Sequence, residues 1–326
     1  MKRNIAILAG GDSSERGISH KSAATVLQNL DRDLYSPCIV DIHGREWTAL
    51  PENGKSYPID RNDFSYTADD VRTVFDYAYV IIHGTPGENG IIEGYLRLLG
   101  IPFSTCDVLA SALTFDKYRL NRFLRNYGIN VAEAMLFNNR RPIDEQEIVG
   151  RLGLPCFVKP SAGGSSFGTT KVTEAGQIRK AFSDAFKEND EVVAESFLDG
   201  MEVTCGCYKT RSKTVTLPVT QVVPQTEFFD YDAKYNGKVS EITPAHISDE
   251  LRDRIQQTTS FIYDLVGCKG IIRNDYIISE DGTIYLLEVN TTPGMTPTSF
   301  IPQQLRAAGL VLKDVLTEII EDSFAR

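Results

Sequence analysis

Apolar positions fall in unbroken runs along the first third of the chain: "NIAILAG" (4–10), "YSPCIVDI" (35–42) and "YAYVIIHG" (77–84). Between and after them, residues near 19–30 and the stretch "IIEGYLRLLG" (91–100) carry a helical pattern. This alternation predicts an α/β unit on a small parallel sheet over residues 1–104. "IPFSTCD" (101–107) marks a boundary, and one helix is expected through "VLASALTFDKYRLNRFLRNYG" (108–128), stopping at Gly128. The segment "LPCFVKPSAGGSSFGTTKV" (154–172) reads as strand, glycine loop, strand, and a second boundary falls near "EVVAESFLDG" (191–200). Units of 1–104, 105–194 and 195–326 follow, the last strand-rich until its closing helices. Neither an internal repeat nor a low-complexity linker separates them, so close packing is expected.

The start, "MKRNIAILAGGDSS", puts basic residues before apolar ones, but the apolar run ends after Ala9 and Gly-Gly-Asp follows. It reads as a buried strand, not a signal peptide. No run approaches the ~18 apolar residues of a membrane helix, and a soluble cytoplasmic protein is expected.

The pattern is broken near the C-terminal end. In "LLEVNTTPGM" (286–295), Glu288 and Asn290 interrupt an apolar strand, and their alternate spacing puts both on one face. The preceding strand, "GIIRNDYIIS" (270–279), joins it through "EDGT" (280–283), where Asp-Gly suits a type I′ turn. With Asp281 and Gly282 as a two-residue loop, Asp275 faces Glu288 and Arg273 faces Asn290. Two carboxylates ~5 Å apart at an effective dielectric of ~20 repel by roughly 3 kcal/mol. A positive charge is therefore expected between them. Either Mg²⁺ or Mn²⁺ shared with phosphate oxygens would serve, since an all-oxygen set suits them, or Arg273 itself on a polar strand end.

Composition narrows the field. The 326 residues are 42% hydrophobic and 24% charged, with a net charge of −10, which argues against a dedicated nucleic-acid or anionic-membrane surface. The six cysteines are scattered without a C-x-x-C pair, as reduced thiols would be. Cys205 and Cys207 share one face of a strand-like run and are expected to pack a core.

Further chemistry gathers around glycines. "KPSAGGSSFGTT" places Lys159 at a strand end before Gly163, Gly164 and Gly168, with Ser165 and Ser166 among them. Backbone N–H groups, hydroxyls and the lysine would cradle phosphate, although this is not a P-loop. In "LAGGDSSERGISHKSA" the glycine spacing is wrong for a dinucleotide fingerprint. Glu15 there is a helix-start charge or an anchor for a substrate ammonium, the first being simpler from this stretch alone. His83 and Glu88 stand in "IIHGTPGENG", where a strand-end His is more often hydrogen-bonded structure than a base. "TEFFDYDAKYNGKVSE" (226–241) has neither period, and a loop of this length is functional, disordered or a lid; its aromatics argue against disorder.

Taken in order, "GGDSSERGIS", "HGTPGENG", "ASALTFDKYR", "KPSAGGSSFG", "ESFLDGMEVT", "DYDAKY", "GCKGIIRND" and "LLEVNTTPGMTPTS" resemble the D-alanine–D-alanine ligases of the ATP-grasp family over nearly the whole chain. The resemblance implies an α/β protein with α+β lobes: a three-domain ATP-grasp architecture with an N-terminal Rossmann-like parallel sheet. ATP would lie between the central and C-terminal lobes. Lys117, Lys159, Ser166 and Lys234 would hold it, with Glu195 and Leu198 at the adenine and Glu202 at the ribose. Asp275, Glu288 and Asn290 would hold two Mg²⁺, with Mn²⁺ as an alternative.

The implied reaction phosphorylates one D-alanine carboxylate and lets the amine of a second D-alanine attack the acyl phosphate. Glu15 would hold the first ammonium, and Arg273 and the Gly294 N–H would face the developing oxyanion. Ser299 and Tyr235 would face the second substrate, with Ser165 linking Glu15 to Tyr235. The loop carrying Tyr231, Lys234 and Tyr235 would close over the site. A homodimer is also implied. Departures from the family pattern are Phe229, Asn274 and "STCDV", none at the inferred chemistry. The rivals are another ATP-dependent carboxylate–amine or carboxylate–hydroxyl ligase and a non-catalytic nucleotide sensor. A nicotinamide dehydrogenase lacks its glycine fingerprint.

Overall fold

The computed structural model describes residues 2–164, 167–224 and 239–325. The N-terminal lobe runs β1 (Arg3–Gly10), α1 (Arg16–Asn29), β2 (Tyr35–His43), β3 (Glu46–Leu50), β4 (Tyr57–Pro58), β5 (Ser65–Ala68), β6 (Val71–Val74), β7 (Tyr77–Val80) and α2 (Ile91–Leu98). Its sheet has the order β4-β3-β2-β1-β7, with β1 parallel to both β2 and β7 as expected. β1 is an apolar run because both of its faces are covered. Ile5 and Ile7 enter one core, Ala6 and Leu8 another. The antiparallel extension β3–β4 and the small β5–β6 hairpin were not anticipated; these short strands keep exposed positions and little apolar period.

The helix expected over 108–128 is two: α3 (Val108–Phe115) and α4 (Lys117–Arg125). Asp116 divides them. Its backbone is extended, its carboxylate caps α4 by accepting from Arg119 N–H, and it also accepts the Ser161 hydroxyl. A short acid that can bond backbone N–H groups competes with helix continuation. The break starts α4 at Lys117.

The central lobe follows with β8 (Ala134–Asn138), α5 (Glu145–Leu152), β9 (Cys156–Pro160), β10 (Thr170–Val172), α6 (Ile178–Ala185) and β11 (Glu191–Ser196). Its antiparallel sheet, β10-β9-β11-β8, is packed by Phe137, Val158, Ile178 and Phe182, and β9 and β10 bear out the strand–loop–strand reading.

The C-terminal lobe comprises β12 (Met201–Lys209), β13 (Thr214–Thr216), β14 (Thr220–Pro224), β15 (Val239–Ile242), α7 (Asp249–Val266), β16 (Ile271–Ile278), β17 (Ile284–Asn290), α8 (Phe300–Ala307) and α9 (Leu312–Phe324). Its sheet order is β15-β14-β12-β16-β17, with β13 also on β12. α7 is bounded by a Ser248 cap and by Gly267 at φ +75°, and buries Ile255 and Ile262 on one face of the sheet. On the other face Tyr208, Ile301 and Leu316 share a core with Ile5 and Tyr77 of the first lobe, so the lobes do pack closely. All six cysteines are free and buried, Cys205 and Cys207 completely. Among the described residues no helix is long and apolar enough to cross a membrane.

The β16–β17 hairpin reaches the expected pairing by another route. Asp275 faces Glu288 and Arg273 faces Asn290, yet nearer the tip Tyr276 faces Leu286 and Ile278 faces Ile284. The turn is longer than expected by one residue. Gly282 N–H donates to the Ser279 carbonyl, Gly282 sits at φ +79°, and the Asp281 carboxylate accepts from Ser279 Oγ and Thr283 N–H. A three-residue loop of this kind ends in a left-handed glycine. Leu287 is then an unpaired bulge residue that restores the register at the acids.

Candidate active site

The three lobes meet at a cleft of about 550 Å³ lined by Glu15 and Glu88, by Lys117, Gly163 and Gly164, and by Glu288 and Asn290. Glu15 immediately precedes α1, and its carbonyl accepts from Ile18 and Ser19 N–H, but its side chain does not cap the helix. The carboxylate instead lies against the glycine loop, since a Cβ on Gly164 would stand 2.5 Å from Glu15 Oε2. The side chain thus stands at the start of α1 and faces the glycine loop.

Lys117 is fixed at both ends. Its N–H donates to the Ser161 carbonyl (2.8 Å) and its ammonium to the Gly163 carbonyl (2.5 Å). Burial pushes its pKa below the ordinary lysine value; Glu288 opposes that shift and Lys159 adds to it. Lys117 also borders a second cleft of about 330 Å³, walled by Leu120, Val131, Leu287 and Glu195. Glu195, near the end of β11, forms an ion pair with Lys159 on β9. Leu198 follows in the link to β12, and Glu202 is in the first turnless residues of that strand.

On the opposite wall, Arg273 Nε and Nη2 donate to both Asp275 oxygens (2.8 and 2.7 Å), and Nη2 lies 3.6 Å from Glu288 Oε1. The Phe300 ring lies against the guanidinium, 5.3 Å from centroid to Cζ. The positive charge expected between the acids is thus supplied by the chain itself. Asn290 Oδ1 accepts from Thr292 N–H (3.0 Å), which fixes the amide. Among the described residues no group of three or more His, Cys, Asp or Glu is arranged to hold a metal; the oxygen set here is two carboxylates and an amide.

Gly294 and Ser299 are neighbours, for a Cβ on Gly294 would come within 2.9 Å of Ser299 Oγ. That hydroxyl bonds Thr296 Oγ1 (2.7 Å) and does not cap α8. His83 lines the cleft and is hydrogen-bonded within it. Its Nδ1–H donates to the Thr292 carbonyl (2.8 Å), while Ser22 Oγ, 3.5 Å from Nε2, accepts Met295 N–H. The histidine thereby ties the 292–295 loop to the first lobe. Ser165, Ser166, Tyr231, Lys234 and Tyr235 lie outside the described residues.

Comparison with known proteins accounts for this arrangement. A family model described as D-ala D-ala ligase C-terminus matches residues 123–321, and one described as D-ala D-ala ligase N-terminus matches 4–106. The chain belongs to the D-alanine–D-alanine ligase family. It is 54% identical to the D-alanine–D-alanine ligase of Bacteroides fragilis, over 99% of this chain and 100% of the relative. Identity to that of Parabacteroides distasonis is 55%, over 99% of this chain and 98% of the relative.

Among solved structures, D-alanyl-alanine synthetase A from Vibrio cholerae superposes with a TM-score of 0.89 at 28% identity, covering 100% of this chain and 99% of that one. The VanG D-Ala:D-Ser ligase from Enterococcus faecalis gives 0.87 at 30% identity, covering 99% and 100%. The architecture is the three-lobed ATP-grasp fold of these ligases.

One residue of the ligase cleft had no role assigned from sequence. Glu88 is buried in the cleft and accepts Gly84 N–H (2.7 Å). Burial, helped by the nearby Glu15 charge, pushes its pKa up to about 8. Its glycine-flanked place in "GENG" was visible; its burial was not.

Proposed function

We propose that this protein joins two D-alanines into D-alanyl-D-alanine with cleavage of ATP to ADP and phosphate, as a step in making the peptide of the cell wall. The observation that carries this reading is the single cleft in which Glu15, Lys117 and the Glu288–Asn290 face converge from three lobes. The names of relatives more than half identical along their full length support it.

In this reading the Glu15 carboxylate holds the ammonium of the first D-alanine. Lys117 and Lys159 hold the nucleotide phosphates, with Ser166 and Lys234. The apolar second cleft takes the adenine beside Glu195 and Leu198, and Glu202 takes the ribose hydroxyls. Arg273 and the Gly294 N–H stabilise negative charge on the attacked carboxyl oxygen. Ser299 and Tyr235 orient the second D-alanine, and Ser165 joins Glu15 to Tyr235. ATP-grasp ligases of this family use ATP and Mg²⁺. The donor chemistry fits that ion, because Asp275, Glu288 and Asn290 offer oxygen alone and two of the three line the cleft. Mg²⁺, with Mn²⁺ as an alternative, would supply charge neutralisation for the phosphates.

We also propose three units, 1–104, 105–194 and 195–326, a cytoplasmic location, and a homodimer joined through the apolar surface of α2 and α3. Leu98 and Leu109 are 88% and 78% exposed there, with Ile91 and Val108 beside them.

The test is phosphate release with ATP across D-alanine, D-serine, D-lactate and L-alanine, scored by product mass at pH 7. The expected product is D-alanyl-D-alanine. A hydroxy acid lacks the attacking amine and leaves groups built for it unpaired, a loss of ~1–3 kcal/mol. Mainly ester or D-alanyl-D-serine product would overturn the substrate assignment, and no ATP-dependent product would overturn the enzyme.

A further inference from the structure

The C-terminal sheet has a gap. β14 pairs with β12 as far as Thr204 and β13 takes over at Cys207, and between them the register steps by one residue, with Leu217 N–H donating to the Gly206 carbonyl (2.8 Å). In a strand, alternate residues turn their backbone polar groups to the same edge, so Thr204 and Gly206 both point into this gap. A Gly206 N–H buried at this step and left without a partner would cost stability.

The side chain of Gln304, on α8, fills the gap. Its Oε1 accepts from Gly206 N–H (3.0 Å), and its Nε2 donates to the Thr204 carbonyl (3.0 Å) and to Thr220 Oγ1 (3.1 Å). One carboxamide bonds an upstream carbonyl and a downstream N–H, as a backbone residue of an added parallel strand would. The residue is fully buried. Gly206 completes the seat, since a Cβ there would lie 2.5 Å from Ile301 Cδ1 and 2.8 Å from Gln304 Oε1.

The same seat sets the front of α8. Gly206 is the cross-strand partner of Arg273, and α8 begins just after Ser299, with Phe300 over the Arg273 guanidinium. We propose that Gln304 is a positioning residue for the second-substrate side of the site: its amide registers α8 on β12, and so sets Ser299 and Phe300 against Arg273 and Gly294. This rests on the reading that Ser299 faces the second D-alanine while Arg273 and the Gly294 N–H face the attacked carboxyl oxygen. Only a group with one donor and one acceptor can do this. Methionine fills the volume with neither, and glutamate restores the pattern only while protonated.

The experiment compares wild type with Gln304→Met and Gln304→Glu, separating the two D-alanine KM values and the ATP KM. Gln304→Met is expected to raise the KM of the second D-alanine about tenfold, leaving those of the first D-alanine and ATP within about twofold. In Gln304→Glu the second KM should rise with pH, from near the wild-type value in acid, while the wild type changes little. A folded Met variant with unchanged second-site kinetics, or with all three KM values raised alike, would overturn the proposal.

A crystal structure of Gln304→Met asks the question without turnover. Displacement of Ser299 and Phe300 from Arg273 supports the proposal, and an unmoved helix overturns it. Wild type that fails to ligate D-alanine would instead overturn the functional reading, leaving the registration of α8 to be judged by that structure. Should the Met variant not fold, the pH dependence of the Glu variant decides.

Discussion

Asp275 and Glu288 are proposed to serve the same metal site, yet the empty protein should lose very different amounts of stability when each is neutralised. Both Asp275 oxygens are bonded by Arg273, whose side chain is 6% exposed. Removing one partner of a buried pair costs about 3–5 kcal/mol. In Asp275→Asn the amide keeps one acceptor and Glu288 remains near, so about 2–3 kcal/mol of that is expected to survive. Glu288 is different. Its side chain is 38% exposed and its oxygen is 3.6 Å from Arg273, beyond a hydrogen bond. Glu288→Gln removes the weaker of the two Arg273 contacts and should cost less than Asp275→Asn. Both variants should lose phosphate release at saturating ATP and D-alanine. Urea unfolding of the ligand-free proteins, followed by circular dichroism with unchanged slopes, reads the difference. Equal midpoints for the two variants, or an Asp275→Asn midpoint matching wild type, would refute the division of labour argued from Arg273.

Two further outcomes are expected. Glu93 on α2 is fully buried, and burial pushes its pKa up to about 8 against the weaker opposing pull of the Glu93 and Gly90 backbone N–H groups. Because the folded value lies above the unfolded one, the native state binds the extra proton between pH ~4.5 and ~8 and stability falls across that window, by about 3 kcal/mol at pH 7. Glu93→Gln should therefore melt with the wild type at pH 5 and several degrees above it at pH 8; parallel melting curves at both values would refute the burial argument. Gly294→Ala would place a methyl 2.9 Å from Ser299 Oγ. It should lower kcat/KM for the second D-alanine by roughly tenfold while ATP affinity holds, a split that steady-state kinetics checks.

The parallel sheet was legible because a strand buried on both faces leaves a run such as "IAILAG" with nothing polar in it. Short, half-exposed strands such as Val71–Val74 leave no such trace. The division of α3 from α4 was written in Asp116, but capping becomes visible only when Ser161 and Arg119 stand beside it. Glu288 and Asn290 were found because acids in an apolar strand are costly. Glu88 was given no role because its glycine-rich stretch does not reveal that residues distant in the chain bury it and raise its pKa. Gln304 gave no signal at all, since a gap in a ladder cannot be seen from one strand.

The bulge at Leu287 works as a slip joint. Beyond it, the hairpin tip follows the spacing of its own turn; before it, Arg273 and Asp275 are held by Gly206 and Thr204 of β12. The orientation of the acids is thus owned by the centre of the sheet, not by the loop. A residue gained or lost in the tip can be absorbed by opening or closing the bulge, whereas one gained between Glu288 and Asn290 would turn one of them away from the cleft. Length variation in this hairpin should therefore collect on one side of Leu287, and alignments that count inward from the turn will misplace the acids by one face.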